Sequence, residues 1–172
     1  MVLNFKGIDF KTEWVEYPDL APTFKALGIP PNDPDDPDYF ADYTSPAIQY
    51  DDGTFAMDSI KIARDLEKRY PSPSLHLDNP IVANFSCAKF QRPLIPHIVP
   101  KVPGKLLNER SAEYFFRTRD GKYGMPLSQL EKEKANEECW EEAKEGAKEL
   151  VDILKKSGGP YILGETGKCC KR

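Results

Sequence analysis

The sequence predicts two parts, an α/β unit followed by an all-helical region. In the first part the predicted order is strand, helix, loop, hairpin and helix, which is typical of a small sheet covered by helices. The Pro-Ser-Pro-Ser stretch at residues 71–74 then interrupts regular structure. From about residue 80 the apolar residues recur at helical spacing. We therefore predict domains over residues 1–72 and 73–166, with a separate tail over 167–172.

The composition limits the classes of partner. A chain of 172 residues with 40% hydrophobic content is long enough to bury a core. Its 24 basic and 28 acidic residues are intermixed and give a net charge of -4, which offers no basic surface to nucleic acid. No run approaches the roughly 20 apolar residues of a membrane span, and residues 1–10 do not resemble a secretory signal. The composition predicts a cytoplasmic protein that binds neither nucleic acid nor membrane.

The first predicted elements are a strand and a short helix. Residues 8–15 alternate apolar and polar side chains, which is the period of a strand with one buried face. The spacing of Leu20, Phe24 and Leu27 predicts a short helix, which Gly28 ends in a left-handed conformation.

A loop, a hairpin and a longer helix complete the first part. Residues 29–38 contain four prolines and several acidic residues, so they are predicted to be irregular. A β-hairpin is predicted over residues 47–57, because Asp51-Asp52-Gly53 supplies the positive φ angles of a tight turn. Asp58-Ser59 then begins a helix that ends before Pro71.

Three helical stretches are predicted in the second part. The prolines at positions 93, 96, 100 and 103 must end or bend the first of them. The second is predicted from Asn108 to Arg119. The third runs from Ser128 to Lys156 and is ended by Gly158-Gly159, and its many Glu and Lys side chains indicate a solvated face rather than an acidic binding surface.

No metal site or disulfide framework is predicted. His76 and His97 have no carboxylate or cysteine partner at metal-ligand spacing. Of the four cysteines, Cys87 and Cys139 stand alone in helical contexts, and the Cys169-Cys170 pair lies in a basic tail without a neighbouring histidine.

The candidate binding site is formed by Ser45-Pro46 before the hairpin and Asp58-Ser59 after it. The first amides of a helix and the Ser59 hydroxyl would bind a ligand carboxylate, and Asp58 would bind the amino group of the same ligand. If the Ser45-Pro46 peptide bond is cis, the Ser45 backbone is free to pair with an extended peptide. These residues predict a pocket for a small zwitterionic peptide. The alternative is that Pro46 only marks a strand edge and Asp58-Ser59 is only a helix cap.

Several longer sequence segments resemble those of a known protein family. Residues 2–17, VLNFKGIDFKTEWVEY, resemble the end of the first helix and the second strand of fungal etherase-like glutathione transferases. The resemblance continues through residues 43–48, 58–63 and 113–119. It implies a thioredoxin-like N-terminal domain and a helical C-terminal domain.

The resemblance also implies roles for the site residues. Asp58 and Ser59 would hold the γ-glutamyl end of glutathione. Ser45 would pair with the cysteinyl backbone of glutathione, and Pro46 would be a cis-proline.

Two departures from the family pattern bear on activity. Family members begin with a strand and a loop whose serine or cysteine activates the thiol, and we expect this chain to lack both. We likewise expect residues 167–172 to stand where the family has a buried helix. No catalytic residue is therefore assigned.

Two classes of function follow from the resemblance. The first is an enzyme that uses glutathione as co-substrate, either conjugating it to a small electrophile or cleaving an aryl ether with it. The second is a non-catalytic glutathione-binding or interaction module, or an incomplete gene product without activity. The expected lack of a thiol-activating segment favours the module.

The sequence also bears on a redox function, on the oligomeric state and on the site of the second substrate. A general thioredoxin-like redox protein is disfavoured because no Cys-x-x-Cys occurs. The family makes a homodimer possible, and the proline-rich stretch 93–103 is a candidate lining for the second substrate.

Overall fold

A computed structural model describes residues 2–36, 39–84, 86–159 and 161–163. The chain forms two compact units, the first ending at Leu77 and the second beginning at Asp78. The elements of the first unit are helix α1 (Val2–Lys6), a 3-10 turn (Tyr17–Asp19), helix α2 (Leu20–Ala26), strands β1 (Ala47–Gln49) and β2 (Phe55–Met57) and helix α3 (Ser59–Arg69).

The predicted hairpin is confirmed. Strands β1 and β2 are antiparallel, with Ala47 opposite Met57 and Gln49 opposite Phe55. Gly53 adopts the positive φ of 80° that the Asp-Gly turn requires.

The strand predicted over residues 8–15 is not formed. Among the described residues the sheet contains only β1 and β2. The side chains of the segment still alternate between two faces. Lys11 and Glu13, two residues apart, lie on the same face, and their charged atoms are 3.3 Å apart. The prediction was wrong because a strand also needs backbone hydrogen bonds to a neighbour, which local alternation does not supply.

The core of the first unit lies between helix α2 and the hairpin. Its buried members are Phe24, Ile29 and Met57. Helix α2 ends as predicted at Gly28, whose φ is 71°, and the Ile29 amide donates to the Phe24 carbonyl at 3.0 Å. Residues 29–36 are irregular, as predicted, and the last two positions of that loop lie outside the described residues.

The second unit is helical. Its helices are α4 (Pro80–Asn84), α5 (Ala88–Gln91), α6 (Ile95–Ile98), α7 (Val102–Leu106), α8 (Glu109–Tyr123), α9 (Leu127–Lys134) and α10 (Glu137–Ser157). As predicted, the proline-rich stretch is broken, with 3-10 turns at Arg92–Leu94 and Val99–Lys101. Phe115, Leu127 and Leu130 form a buried cluster in this unit.

The long helix predicted from Ser128 to Lys156 is instead two helices, α9 and α10. Asn136 separates them in an extended conformation, and its side chain accepts a hydrogen bond from the Cys139 amide at 3.2 Å. Asparagine is a strong N-cap, so it begins a new helix where the apolar spacing alone suggested continuity. Gly158, with a φ of 71°, ends α10 as predicted. The predicted tail, residues 167–172, lies outside the described residues.

Candidate functional site

The hairpin brings the predicted site residues together. Because Ala47 lies opposite Met57, the neighbouring residues Pro46 and Asp58 also face each other across the hairpin. The Asp58 amide donates to the Pro46 carbonyl at 3.3 Å. Ser45 and Ser59 adjoin this bonded pair, so all four residues lie at the junction of β1, β2 and the start of α3.

Asp58 caps helix α3 with one of its two carboxylate oxygens. Its Oδ1 accepts from the amides of Ile60 at 2.8 Å and Lys61 at 3.1 Å. Its backbone has a φ of 80° and a ψ of 127°, a conformation that non-glycine residues rarely adopt. Within the described part of the chain, Oδ2 of Asp58 has no hydrogen-bond partner. The cap therefore leaves one carboxylate oxygen for a cation.

Ser59 supplies the free donors at the start of α3. The Ile60 and Lys61 amides, which sequence reasoning counted among the anion-binding groups, already donate to Asp58. Ser59 is exposed, and among the described residues neither its amide nor its hydroxyl has a partner. An anion at this helix terminus would therefore be bound by Ser59 rather than by the following amides.

The Ser45-Pro46 peptide bond is cis, as the resemblance implies. Both residues are exposed. In the described chain the Ser45 amide and carbonyl have no hydrogen-bond partner. The backbone of Ser45 is therefore available to an extended ligand.

Asn32 supports this corner of the site and was not singled out from the sequence. Its side-chain amide donates to the Ala41 carbonyl at 2.9 Å and to the Thr44 hydroxyl at 3.1 Å. Its backbone amide donates to the Asp42 carbonyl at 2.7 Å. Asn32 thus ties two parts of the loop together just before Ser45. An asparagine among prolines and aspartates gives no sequence signal for this role.

The proline-rich stretch contributes one residue to a groove in the second unit. The groove is shallow and open and is lined by Ala88, Lys89, Arg92, Pro93 and Glu142. Three of these five residues, Lys89, Arg92 and Glu142, carry a charge. The role of the stretch 93–103 in binding a second substrate stays a prediction.

The His97 ring packs against and hydrogen-bonds to the region where helix α10 begins. Its ring lies 5.2 Å from that of Trp140, and its Nε2 donates to the Asn136 carbonyl at 3.0 Å. His97 thus contacts the beginning of α10. Among the described residues, no group of three or more His, Cys, Asp or Glu side chains is arranged to hold a metal ion.

Two family models match the chain. The model described as the N-terminal domain of glutathione S-transferase matches residues 1–69, and the model described as its C-terminal domain matches residues 80–168. This chain belongs to the glutathione S-transferase family. The predicted fold class, a thioredoxin-like N-terminal domain followed by a helical C-terminal domain, is confirmed for this family member.

A curated relative and two solved structures support the same family. The glutathione S-transferase-like protein ustS of Aspergillus flavus is 30% identical over an alignment of 195 positions, and the alignment covers 96% of this chain and 65% of ustS. The chain therefore spans less than two thirds of the length of that relative. Glutathione transferase GSTFuA2 of Phanerochaete chrysosporium is 32% identical with a TM-score of 0.79, over 96% of this chain and 68% of that one.

The second structure contains a ligand. Glutathione S-transferase CsGST63524 of Ceriporiopsis subvermispora, solved in complex with glutathione, is 33% identical with a TM-score of 0.77, over 96% of this chain and 68% of that one.

In the described part of this glutathione transferase family member, no helix has both the length and the apolar character needed to cross a membrane.

Proposed function

We propose that this chain binds glutathione at Ser45, Pro46, Asp58 and Ser59. The observation that carries the proposal is the hydrogen bond from the Asp58 amide to the Pro46 carbonyl, 3.3 Å long, which joins the two halves of the site. It sets a free carboxylate oxygen, two free donors of Ser59 and the free backbone of Ser45 at one corner of the first unit.

Each free group matches one part of glutathione. Oδ2 of Asp58 would accept from the ammonium of the γ-glutamyl group, in a charge-assisted hydrogen bond. The amide and hydroxyl of Ser59 would donate to the carboxylate of that group, where the dipole of α3 also favours negative charge. The Ser45 backbone would pair with the cysteinyl residue in the manner of an added strand.

The reaction that we propose for this site is transfer of the glutathione thiol to a small electrophile, or thiol-dependent cleavage of an aryl ether. Both need the thiolate as the attacking species. Among the described residues we assign no group to activation of that thiol. A non-catalytic glutathione-binding module is therefore the second candidate function.

Calorimetric titration with glutathione tests the binding site. The wild-type chain is expected to bind in the micromolar to millimolar range, and Ser59→Ala is expected to weaken binding about tenfold, since a hydrogen bond to a charged group is lost. Asp58→Asn keeps the size and shape of the side chain and an Oδ1 acceptor for the cap, so it should fold normally and bind glutathione more weakly through loss of charge.

Ser128→Ala is the matched control. Ser128 is also an exposed serine in the first turn of a helix, α9, but it lies in the second unit. Binding that both site variants leave unchanged, or that Ser128→Ala weakens equally, would overturn the assignment of these residues. Turnover of a generic aromatic electrophile by the same samples then separates the enzyme from the module that binds without turnover.

A further inference from the structure

Thr44 lies directly before Ser45 and is held by two hydrogen bonds from different parts of the first unit. Its hydroxyl accepts from the side-chain amide of Asn32 at 3.1 Å. Its backbone amide donates to Sδ of Met57 at 3.3 Å. Asn32 lies in the loop before the hairpin, whereas Met57 ends strand β2. Thr44 therefore joins the loop to the hairpin one residue before the proposed site.

Both partners of Thr44 are themselves fixed. The backbone amide of Asn32 donates to the Asp42 carbonyl at 2.7 Å, which ties Asn32 to the same loop a second time. Met57 is buried and belongs to the same core cluster as Phe24. The two hydrogen bonds therefore connect Thr44 to ordered parts of the unit rather than to free surface side chains.

Tyr43 anchors the chain just before Thr44. Its ring packs against the core cluster and meets the Phe24 ring edge to face, with the ring centres 6.4 Å apart. The Lys25 ammonium lies 5.6 Å from the centre of the Tyr43 ring, within the range of a cation–π interaction. Ser45, by contrast, is exposed, and its backbone groups are free among the described residues. Tertiary contacts thus fix the chain up to the residue whose backbone is free.

The orientation of Thr44 controls the orientation of the Ser45 amide. The peptide unit between these two residues is planar, so the direction of the Ser45 N–H follows from the position of Thr44. A hydrogen bond weakens steeply when its donor is misaligned, so an extended ligand can pair with Ser45 only if that direction is correct. Met57 adjoins Asp58, so its bond to Thr44 also fixes Ser45 relative to the other half of the site.

We propose that Thr44 is a positioning residue of this site, which directs the Ser45 backbone toward the cysteinyl residue of glutathione through its bonds to Asn32 and Met57. The inference rests on the proposed function, because it requires that glutathione binds at Ser45 and Asp58. Its consequence is selectivity. Thr44 strengthens the binding of a γ-glutamyl peptide and contributes nothing to the binding of the γ-glutamyl head group, which Asp58 and Ser59 hold.

Two ligands separate these contributions. Glutathione carries both the γ-glutamyl head group and the peptide backbone. The γ-methyl ester of L-glutamate keeps the ammonium and the α-carboxylate but has neither the amide nor the carbonyl of the cysteinyl residue. NMR titration of the full chain measures the affinity of both ligands into the millimolar range.

Thr44→Val removes the hydroxyl and keeps the branched shape of the side chain. Because one donor of Asn32 then lacks its acceptor, the loop no longer holds Thr44, and glutathione should bind about tenfold more weakly. Binding of the ester should change less than about twofold. Thr44→Ser keeps the hydroxyl and should bind both ligands as the wild type does.

Met57→Leu tests the second hydrogen bond. Leucine has a similar volume, so the core should stay packed, but the Thr44 amide loses its sulfur acceptor. The variant should show the same selective loss of glutathione. Met125→Leu is the matched control, since Met125 packs against the buried cluster of the second unit. It should leave the affinity of both ligands unchanged.

The outcomes distinguish this inference from the proposed function. If Thr44→Val weakens both ligands equally or neither of them, or if Thr44→Ser behaves like Thr44→Val, the positioning role is refuted and the glutathione site stands. If a wild-type chain with a folded circular dichroism spectrum binds neither ligand, the proposed function fails, and the role of Thr44 fails with it.

Discussion

At the residue scale, Asp58 combines two roles. Its Oδ1 holds the first amides of α3, and its amide joins the helix to Pro46. The backbone of this residue has a φ of 80° and a ψ of 127°, outside the regions that non-glycine residues usually adopt. The strained conformation lies at the proposed binding site, where such residues are commonly found.

Asp52, in the turn of the hairpin, has a carboxyl group whose pKa is shifted far from its usual value. Its carboxylate accepts from the Thr54 hydroxyl and amide and lies 2.8 Å from a guanidinium nitrogen of Arg69. The Arg69 guanidinium also lies 3.9 Å from the centre of the Tyr50 ring. The hydrogen bonds from Thr54, followed by that from Arg69, lower the pKa of Asp52 from 3.8 to about 2.

Asp52→Asn should therefore change the response to acid. Because the folded pKa lies below the usual value, the Asp52 contribution to stability is complete above a pH of 3.8 and is lost as the pH falls toward about 2. In thermal unfolding across this range, the wild-type midpoint should fall more steeply with decreasing pH than that of Asp52→Asn.

The matched control for Asp52 is the neighbouring carboxylate of Asp51. Asp51 is exposed and has no hydrogen-bond partner among the described residues. Asp51→Asn should keep the wild-type slope, and equal slopes for all three proteins would contradict the assignment.

At the element scale, Gly146 allows helix α10 to approach helix α5. A Cβ atom at position 146 would lie 2.6 Å from the Lys89 carbonyl carbon and 2.9 Å from the Phe90 nitrogen. Both are backbone atoms, which cannot rotate away as a side chain can. The glycine is therefore required by packing rather than by its own φ angle.

Gly146→Ala should destabilise the protein by about 1–3 kcal/mol, because the two helices must separate. Gly121→Ala is the matched control, since Gly121 lies within α8 and a Cβ there would have no neighbour within 4 Å. That change should stabilise the protein by about 0.5–1 kcal/mol through helix propensity. Urea unfolding measures both free energies. A stabilising effect of Gly146→Ala would refute the close approach.

At the scale of the whole molecule, each unit has its own buried apolar cluster, and the first unit also contains a buried lysine. The side chain of Lys6 has 0% exposure, and its Nζ lies 2.6 Å from Glu67 Oε2. It also donates to the carbonyls of Tyr70 at 2.5 Å and Pro73 at 3.0 Å. One ammonium thus joins α1 to the end of α3 and to the segment that follows it.

Glu67 extends this network. Its carboxylate also accepts from the Ser74 hydroxyl at 2.7 Å and the Leu75 amide at 3.0 Å. Burial raises the pKa of Glu67, but the hydrogen bonds from Lys6, Ser74 and Leu75 together lower it below its usual value. This group therefore stabilises the fold at neutral pH and loses that contribution in acid.

Lys6→Met should destabilise the first unit by about 3 kcal/mol, because Glu67 and two carbonyls lose their common donor. Lys144→Met is the control. Lys144 also pairs with a glutamate, Glu141, but their side chains are 69% and 66% exposed. Its loss should cost no more than about 0.5 kcal/mol. Chemical denaturation compares the two variants, and equal effects would show that burial of Lys6 contributes nothing.

The candidate site was predictable in part. A hairpin of this length must return the chain beside Pro46, so the meeting of Ser45-Pro46 with Asp58-Ser59 followed from the sequence. The sequence did not reveal that the Ile60 and Lys61 amides are already occupied by Asp58, or that Asn32 supports the loop before Ser45. These details depend on side-chain geometry that spacing does not encode.

The sequence alone determined the features that neighbouring residues control. The Asp-Gly turn, the cap at Asp58 and the helix ends at Gly28 and Gly158 all follow from local backbone preferences. Only the tertiary structure decided whether residues 8–15 have a strand partner, that Lys6 is buried against Glu67, and that α5 meets α10 at Gly146. These features depend on residues far apart in the chain, whose approach is governed by packing and shared hydrogen bonds rather than by local conformational preference.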